Sequence, residues 1–470
     1  MSKRMWGLTL FLGLSFGSAA SATPPYQRPA GIADDMEPLI VAGYRALFTC
    51  SAHFLMGRPL DDITKVELVD VALPGYPVPV IDERRKLVTA ANPDGTIVRT
   101  AVFRDTMGCT ILPPHWNTGD IPRLPYVHRE PAPDLGSVPF PAGDRVDIPA
   151  SGLDPAYPGL APVLDRAFDP KAYAEKEGVV TTSVIVLRGG RIIAERYRPG
   201  FGIRSGYRTW STTKSMTAAL LAIAARQGLL NLDAPADIPE WSYPGDPRQA
   251  ITYKHLLWMS SGLLSGGPNT SAIYFGGQDV ISAATTTPLE AEPGKRWKYA
   301  NNDTLLLMRA LKHVLADDFR YLRFPYDELL LPLGMHHTTM EIDHLGNFVA
   351  SSQTYTTARD LARFGLFLAA DGVWNGRRLL PEGWVKFAST PAPSKPPQAG
   401  QWGYGAQFWL FDQMPGVPPG TFSTAGNKGQ YVTVVPGHDL VVVRTGVDPD
   451  GKRFHAHQLV ADVLKALNAK

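Results

Sequence analysis

Cysteine is scarce in this chain. Its 470 residues include two, Cys50 and Cys109, which excludes a disulfide-rich scaffold and a four-cysteine zinc site. Neither charge dominates: 46 basic residues stand against 44 acidic ones. The dense positive field of a general nucleic-acid binder is therefore missing, and no nucleic-acid partner is expected. Past the N-terminus no run is apolar enough to span a bilayer. No glycine-rich loop precedes a helix as a phosphate site requires; Gly189-Gly190 lies between two β-rich runs instead. His336-His337 and His455-Ala456-His457 lack the spacing and the partner acid of a zinc site, so no metal and no cofactor are expected. Repeats and low-complexity tracts are also missing.

What is present is an ordinary globular composition, 44% apolar and 19% charged, sufficient for a sizeable core and incompatible with wholesale disorder. Gly 44 and Pro 42 predict many turns and extended connections. Residues 1–22 read as a secretory signal. Lys3 and Arg4 precede a short apolar core, Met5 to Gly17, and Ala20-Ser21-Ala22 supplies a small-residue cleavage site; the alternative is an uncleaved anchor. The mature chain is expected to be periplasmic or secreted, with no stable membrane span once the signal is removed. In an oxidising compartment the pair Cys50 and Cys109 is read as one disulfide, which would stabilise by about 4 kcal/mol in the chain-entropy model. Two separate buried thiols are the alternative.

Residues 23–150 read as an N-terminal arm with one hairpin, Lys86–Ala91 and Thr96–Phe103 around Asn92-Pro93-Asp94-Gly95. Pro113 to Pro162 is proline-studded and predicted to run extended over a neighbouring surface. From 151 to 470 the texture changes to that of a single domain. Val180–Leu187 and Arg191–Tyr197 form a hairpin pattern, and Thr212–Gln227 reads as a helix stopped by Gly228. A helical, loop-rich middle follows. Trp402–Phe411, Gln430–Val435 and Leu440–Arg444 read as strands, and Ala456–Ala469 as a closing helix. Strands at both ends with helices between predict an α/β (α+β) fold: one antiparallel sheet flanked by helices, plus a helical subdomain. Trp402, Tyr404 and Trp409 read as core residues of a strand rather than as a ligand platform.

Three segments carry chemistry. Ser211-Thr212-Thr213-Lys214 is the chain's only Ser-x-x-Lys, and at the start of a helix it puts both side chains on one face. A serine hydroxyl becomes a nucleophile when a base takes its proton, and a lysine amine serves if burial keeps it neutral. The N–H of Ser211, at a helix N-terminus, could steady an oxyanion. Taken alone, the pair equally fits an N-cap serine followed by a solvated lysine. Tyr299-Ala300-Asn301 is the only Tyr-x-Asn; a phenol beside a cationic lysine would have its anionic form favoured and could relay protons. Asn301 could hold a substrate carbonyl or fix Lys214. Finally, Gly426-Asn427-Lys428-Gly429-Gln430 leads into the β-run Tyr431–Val435, where glycines would let a substrate approach and the Gln430 N–H could be a second oxyanion donor. A glycine-rich hairpin turn explains the same residues equally well.

These segments, in this order, resemble the serine β-lactamase and penicillin-binding-protein superfamily, which uses Ser-x-x-Lys, then Tyr-x-Asn or Ser-Asp-Asn, then Lys-Thr-Gly. The tyrosine version resembles the class C branch, with its family VIII esterases, D-amino-acid peptidases and 6-aminohexanoate-dimer hydrolases. Ile251-Thr252-Tyr253-Lys254-His255-Leu256-Leu257 with Ser260-Ser261-Gly262-Leu263, Pro293-Gly294-Lys295-Arg296-Trp297, Pro332-Leu333-Gly334-Met335 and Thr357–Gly365 are similar as well. The resemblance implies a β-lactamase/transpeptidase-like fold and a serine hydrolase acting on a small ester, amide or lactam. Ser211, Lys214 and Tyr299 would be catalytic, the Ser211 and Gln430 N–H groups would form the oxyanion hole, and Asn301, Asn427, Lys428 and Gly429 would contact substrate. One departure bears on specificity. Asn427-Lys428-Gly429 stands where that family has Lys-Thr-Gly, so the cation that would hold a substrate carboxylate is displaced. Esters or amides without an obligatory carboxylate are favoured; β-lactamase or D-Ala-D-Ala carboxypeptidase activity is the alternative, and a non-catalytic binding or sensing protein on the same fold is a second.

Overall fold

Val184–Leu187 and Leu440–Val443 are unbroken aliphatic runs, which suit strands covered on both faces. In the computed structural model, which describes residues 37–71, 73–264, 269–449 and 451–468, both runs lie inside a seven-stranded antiparallel sheet. Residues 1–22, read above as a secretory signal, lie outside the described residues. The strand order is Gly403–Tyr404, Trp409–Leu410, Phe422–Gly426, Gln430–Val435, Leu440–Gly446, Thr181–Arg188, Arg191–Tyr197. Val442 is opposite both Thr433 and Val186 in the register, so strands from the two ends of the 151–470 region meet in one sheet.

Because successive side chains point to opposite faces, the aliphatic runs split cleanly. Ile185, Leu187, Val432, Val434, Val441 and Val443 join the larger core. Val184, Val186, Val435, Leu440 and Val442 pack instead with Leu164 and with Leu459, Val460 and Val463 of the closing helix Ala456–Asn468. On the larger-core side the helix Ala358–Ala369 lies against the sheet at Gly365, where a Cβ would stand 2.5 Å from Val441 Cγ1; only glycine lets the helix sit this close. The helix Thr212–Arg226 runs through the middle of the molecule, buried from Thr212 to Ala224. The helix Asn301–Leu315 belongs to the helical region beside it.

One predicted strand is corrected. Trp402–Phe411 is two short strands, Gly403–Tyr404 and Trp409–Leu410, folded on each other. Gln407 adopts a positive φ of 66°, which reverses the chain. Its carbonyl accepts from Ser215 Oγ at 2.6 Å, its amide donates to the Leu256 and Leu257 carbonyls, and its Oε1 accepts from Thr304 at 2.9 Å. Four hydrogen bonds to three helical segments outweigh the local strand preference.

Toward the N-terminus the helix Glu37–Phe54 packs on a four-stranded antiparallel sheet whose inner pair, Leu87–Ala91 and Val98–Arg104, turns at Asn92-Pro93-Asp94-Gly95. Cys50 of the helix and Cys109 of the last strand are bonded, Cα atoms 6.1 Å apart. Phe48, two residues earlier, lies 5.5 Å from Trp210 and 5.7 Å from Phe275, so its core is continuous with that of the helical region. The proline-studded stretch is largely irregular; Pro141 and Gly143 present carbonyls to the buried Arg363 guanidinium, and Asp144 pairs with it at 2.8 Å. No helix among the described residues is long and apolar enough to cross a membrane.

Candidate active site

The turn that delivers Ser211 is conformationally forced. Trp210 has a φ of 50°, a region that costs a bulky L-residue on the order of 1–3 kcal/mol and persists where surrounding contacts impose it. Here Arg208 and Phe48 hold the indole: the Arg208 guanidinium lies 4.2 Å from its ring centroid and 4.0 Å from that of Phe48. The helix then begins, with Thr213 N donating to Trp210 O and Lys214 N to Ser211 O, each at 3.0 Å. Ser211 and Lys214 are three residues apart on one face, and Lys214 Nζ stands 3.1 Å from Ser211 Oγ.

Tyr299 reaches the same point from another segment. The chain arrives extended at Ala300 (φ −141°, ψ 137°) and turns into the helix at Asn301. This brings the Tyr299 phenol close enough to Ser211 for the serine to act on its protonation and sets its ring 5.1 Å from Lys214 Nζ. Asn301 fixes the lysine, one of the two roles read for it: its Oδ1 accepts from Lys214 Nζ at 2.7 Å. A third acceptor, the Ser351 carbonyl, takes a hydrogen bond from Lys214 at 2.6 Å. Burial alone pulls the Lys214 amine down from 10.5 to about 7, because a charge 1% exposed loses its hydration. Burial acts on Tyr299 in the opposite sense to the sequence expectation. Its phenol is pushed well above 10, and the nearby Ser211 only partly offsets this.

These two shifts order the protons. A neutral amine has two hydrogens and one lone pair. Lys214 Nζ has three partners, Ser211 Oγ, Asn301 Oδ1 and the Ser351 carbonyl; in the neutral amine the hydrogens go to Asn301 and Ser351, whose oxygens can only accept, and the lone pair is left for Ser211 Oγ. Tyr299 remains a proton-bearing phenol beside the same oxygen.

The third segment departs from its reading. Residues 427–429 form the tip of a hairpin between Phe422–Gly426 and Gln430–Val435, with Gly426 opposite Gln430. Gln430 belongs to the strand behind the edge. Its carbonyl accepts from Thr212 Oγ1 at 3.1 Å, and its amide group donates to the Lys428 and Gly446 carbonyls. Gly429 is structural: the Arg444 guanidinium fills the place of a Cβ and bonds the Gly429 carbonyl at 2.9 Å. Lys428 is 7% exposed, with φ 55°, and its carbonyl accepts from Asp448 N at 3.2 Å. Asn427 is exposed. Phe411 N donates to Thr421 O, so the odd-numbered residues of Phe422–Gly426 turn their backbone groups toward Trp409–Leu410. That short strand ends opposite Ser423, leaving an open edge from Ala425 to Asn427. Thr424 Oγ1 is 3.2 Å from Thr212 Oγ1, and Thr209 O fills the place of a Cβ on Gly426. The open edge therefore passes beside Ser211, whereas Gln430 lies behind it.

Sequence reasoning missed several participants. Ser351 supplies a lysine acceptor, and its hydroxyl is bonded to the buried Tyr274 at 2.5 Å; nothing local marks either residue. Asp303, buried and raised to about 7 by that burial, accepts from Ser261 at 2.8 Å and ties the Ser260-Ser261-Gly262-Leu263 segment to the Tyr-x-Asn helix. Trp409 stacks on Tyr299, ring centroids 5.4 Å apart.

With this geometry in place, likeness to known proteins becomes informative. The Beta-lactamase family profile matches residues 165–465. The chain belongs to the Beta-lactamase family. It is thus a serine hydrolase on the β-lactamase/transpeptidase-like fold. The 6-aminohexanoate-dimer hydrolase of Paenarthrobacter ureafaciens is 26% identical over 353 residues, covering 68% of this chain and 88% of that one. Among solved structures, the octameric penicillin-binding protein homologue from Pyrococcus abyssi aligns with a TM-score of 0.50 at 19% identity, over 66% of this chain and 76% of that one. EstCE1, a hydrolase with promiscuous acyltransferase activity, aligns with a TM-score of 0.50 at 16% identity, over 67% of this chain and all of its own (100%). These two likenesses concern the fold.

Proposed function

We propose that this Beta-lactamase family member is an exported hydrolase that cleaves an ester or amide bond of a small molecule through a Ser211 acyl-enzyme. The observation that carries the reading is the buried Lys214 amine, hydrogen-bonded to Ser211 Oγ, Asn301 Oδ1 and the Ser351 carbonyl; in its neutral form the last two take its hydrogens and its lone pair is left for Ser211 Oγ. Lys214 takes the serine proton as Oγ bonds to the carbonyl carbon. The oxyanion is held by the Ser211 N–H and an N–H of the Ala425–Asn427 edge, a contribution of ~10²–10³ per donor. The bond to the leaving group then breaks, Tyr299 gives its proton to the departing oxygen or nitrogen, and Lys214 returns a proton to Tyr299. Water attacks the acyl-enzyme with the same groups acting in reverse, freeing the acid and Ser211. Positioned proton transfer contributes ~10²–10⁴.

An amide or ester is preferred over a lactam or D-Ala-D-Ala peptide. The hairpin tip gives no exposed cation at the position that would hold a carboxylate, since Lys428 is buried and Arg444 is committed to Asp448. The amide substrate named for the Paenarthrobacter relative supports the same choice. Export is supported by the reading of residues 1–22 and by the Cys50–Cys109 bond, which persists in oxidising compartments. A fluorophosphonate probe is expected to label Ser211 and to leave Ser211→Ala unlabelled; labelling unchanged in that variant would refute the assignment. Turnover of p-nitrophenyl esters, nitrocefin and 6-aminohexanoate dimer then ranks the substrate classes.

A further inference from the structure

The Tyr299 ring has two faces, and both are occupied. One looks to Lys214; Trp409 stacks on the ring at an interplanar angle of 30°. Trp409 does not end the array. The Trp297 ring follows at 6.3 Å, and Tyr404 packs against both, 5.0 Å from Trp409 and 5.5 Å from Trp297. A core reading fits Tyr404, which is 1% exposed, but not the other three. Tyr299, Trp297 and Trp409 are each only half-buried, so they form a continuous, partly open aromatic wall that begins at a reacting group. Contiguous exposed aromatic surface of this kind, bordering a catalytic centre, is characteristic of a ligand subsite.

Its position specifies which part of the substrate it meets. The acylated carbonyl sits between Ser211 and the Ala425–Asn427 edge. The atom that receives the Tyr299 proton is the first atom of the leaving group, so the atoms beyond it depart from the phenol oxygen, and the half-buried rings grouped with Tyr299 there are Trp409 and Trp297. Trp409 is placed there by the fold: its strand pairs with Ser423 and stops, which opens the edge for the carbonyl and sets the indole beside Tyr299. We infer that Trp409 and Trp297 form the leaving-group subsite, and that it selects an apolar, preferably aromatic, alcohol or amine. Lys395 Nζ, 4.7 Å from the Trp297 centroid, marks the outer limit of the wall. This inference rests on the reading of Ser211 as nucleophile and Tyr299 as proton donor.

The test compares benzyl and methyl esters of one acid, whose alcohols have nearly equal acidity, so that a difference reports binding of the leaving group. The full chain is expected to favour the benzyl ester by about tenfold or more in kcat/KM, from burial and stacking of one ring. Trp297→Ala, which touches no reacting group, is expected to reduce that preference at least threefold, and Trp409→Ala to abolish it; Trp409→Phe, which keeps a ring on Tyr299, is expected to retain most of it. Fluorophosphonate labelling of Ser211, whose leaving group is fluoride, is the control that reads the nucleophile separately from the subsite. Equal turnover of the two esters by the parent, or an undiminished benzyl preference in both alanine variants, would overturn the subsite while leaving the nucleophile intact. Failure of the parent to label at Ser211 would overturn the nucleophile reading and this inference together. If Trp409→Ala no longer labels, Trp409 positions Tyr299 and the outcome in Trp297→Ala decides.

Discussion

Lys214 is useful because it is uncomfortable. An ammonium at that site would be almost cut off from water, so the amine titrates near 7 instead of 10.5. Acylation needs the neutral form, so kcat/KM is expected to fall as pH drops through about 7 and to level off above it, measured with an ester of pH-independent reactivity. Lys214→Arg stays charged at every accessible pH and is expected to lose ~10²–10⁴ in acylation rate with no ascending limb near 7. Glu341 is the opposite case, a buried carboxyl outside the site. Its Oε1 accepts from Ser51 Oγ and Cys109 N, both at 2.8 Å. Burial raises it from 4.5 to about 7, against the pull of Arg208 and Arg104. A raised carboxyl contributes stability that is complete below about 4.5 and is lost as pH rises through about 7. Glu341→Gln is therefore expected to raise Tm relative to the parent at pH 8 more than at pH 5, read by thermal melts at both. Ser211, Lys214, Tyr299 and Asn301 were legible as motifs, but their protonation was left open: the sequence allowed a lysine kept neutral by burial or a cationic lysine favouring phenolate, and burial of both groups favours neutral lysine and neutral phenol.

Among elements, the hairpin Phe422–Val435 shows how far a pattern reaches. Its β-run was legible from aliphatic alternation, and its turn from two glycines, yet the role of each residue in the turn depends on the neighbouring strand Leu440–Gly446. Arg444 and Asp448, both side chains 1% exposed, pair at 2.7 Å, and Arg444 bonds the Gly429 carbonyl. Removing one partner of such a pair leaves a buried charge uncompensated. Asp448→Ala is expected to destabilise by about 3–5 kcal/mol in urea unfolding and to weaken activity by loosening the open edge. Gly429→Ala meets the guanidinium and a φ of +88°, and its loss is expected to be of similar size to other core clashes, about 1–3 kcal/mol. The expected strand Trp402–Phe411 failed for a related reason. Its composition suits a strand, but Gln407 is held by distant helices whose pull no local window contains.

For the molecule as a whole, the Cys50–Cys109 bond fastens the N-terminal helix to its sheet, and that helix carries Phe48 against Arg208 and Trp210. Replacing both cysteines by alanine is expected to cost about 2–4 kcal/mol, measured by chemical unfolding, and to slow fluorophosphonate labelling of Ser211 because the Trp210 turn loses part of its support. The bare sequence determined the sheet-and-helix layout of residues 151–470, the pairing of Ser211 with Lys214 and the cysteine pair, because each rests on local periodicity, on a short fixed spacing, or on there being no other partner. Only the tertiary structure decided that Asn301 and Ser351 would orient the lysine, that Ala425–Asn427 and not Gln430 would border the nucleophile, and that Trp409 would lie on Tyr299. Those contacts join segments scores of residues apart, and their geometry follows from strand register and helix packing, which act across the chain rather than along it.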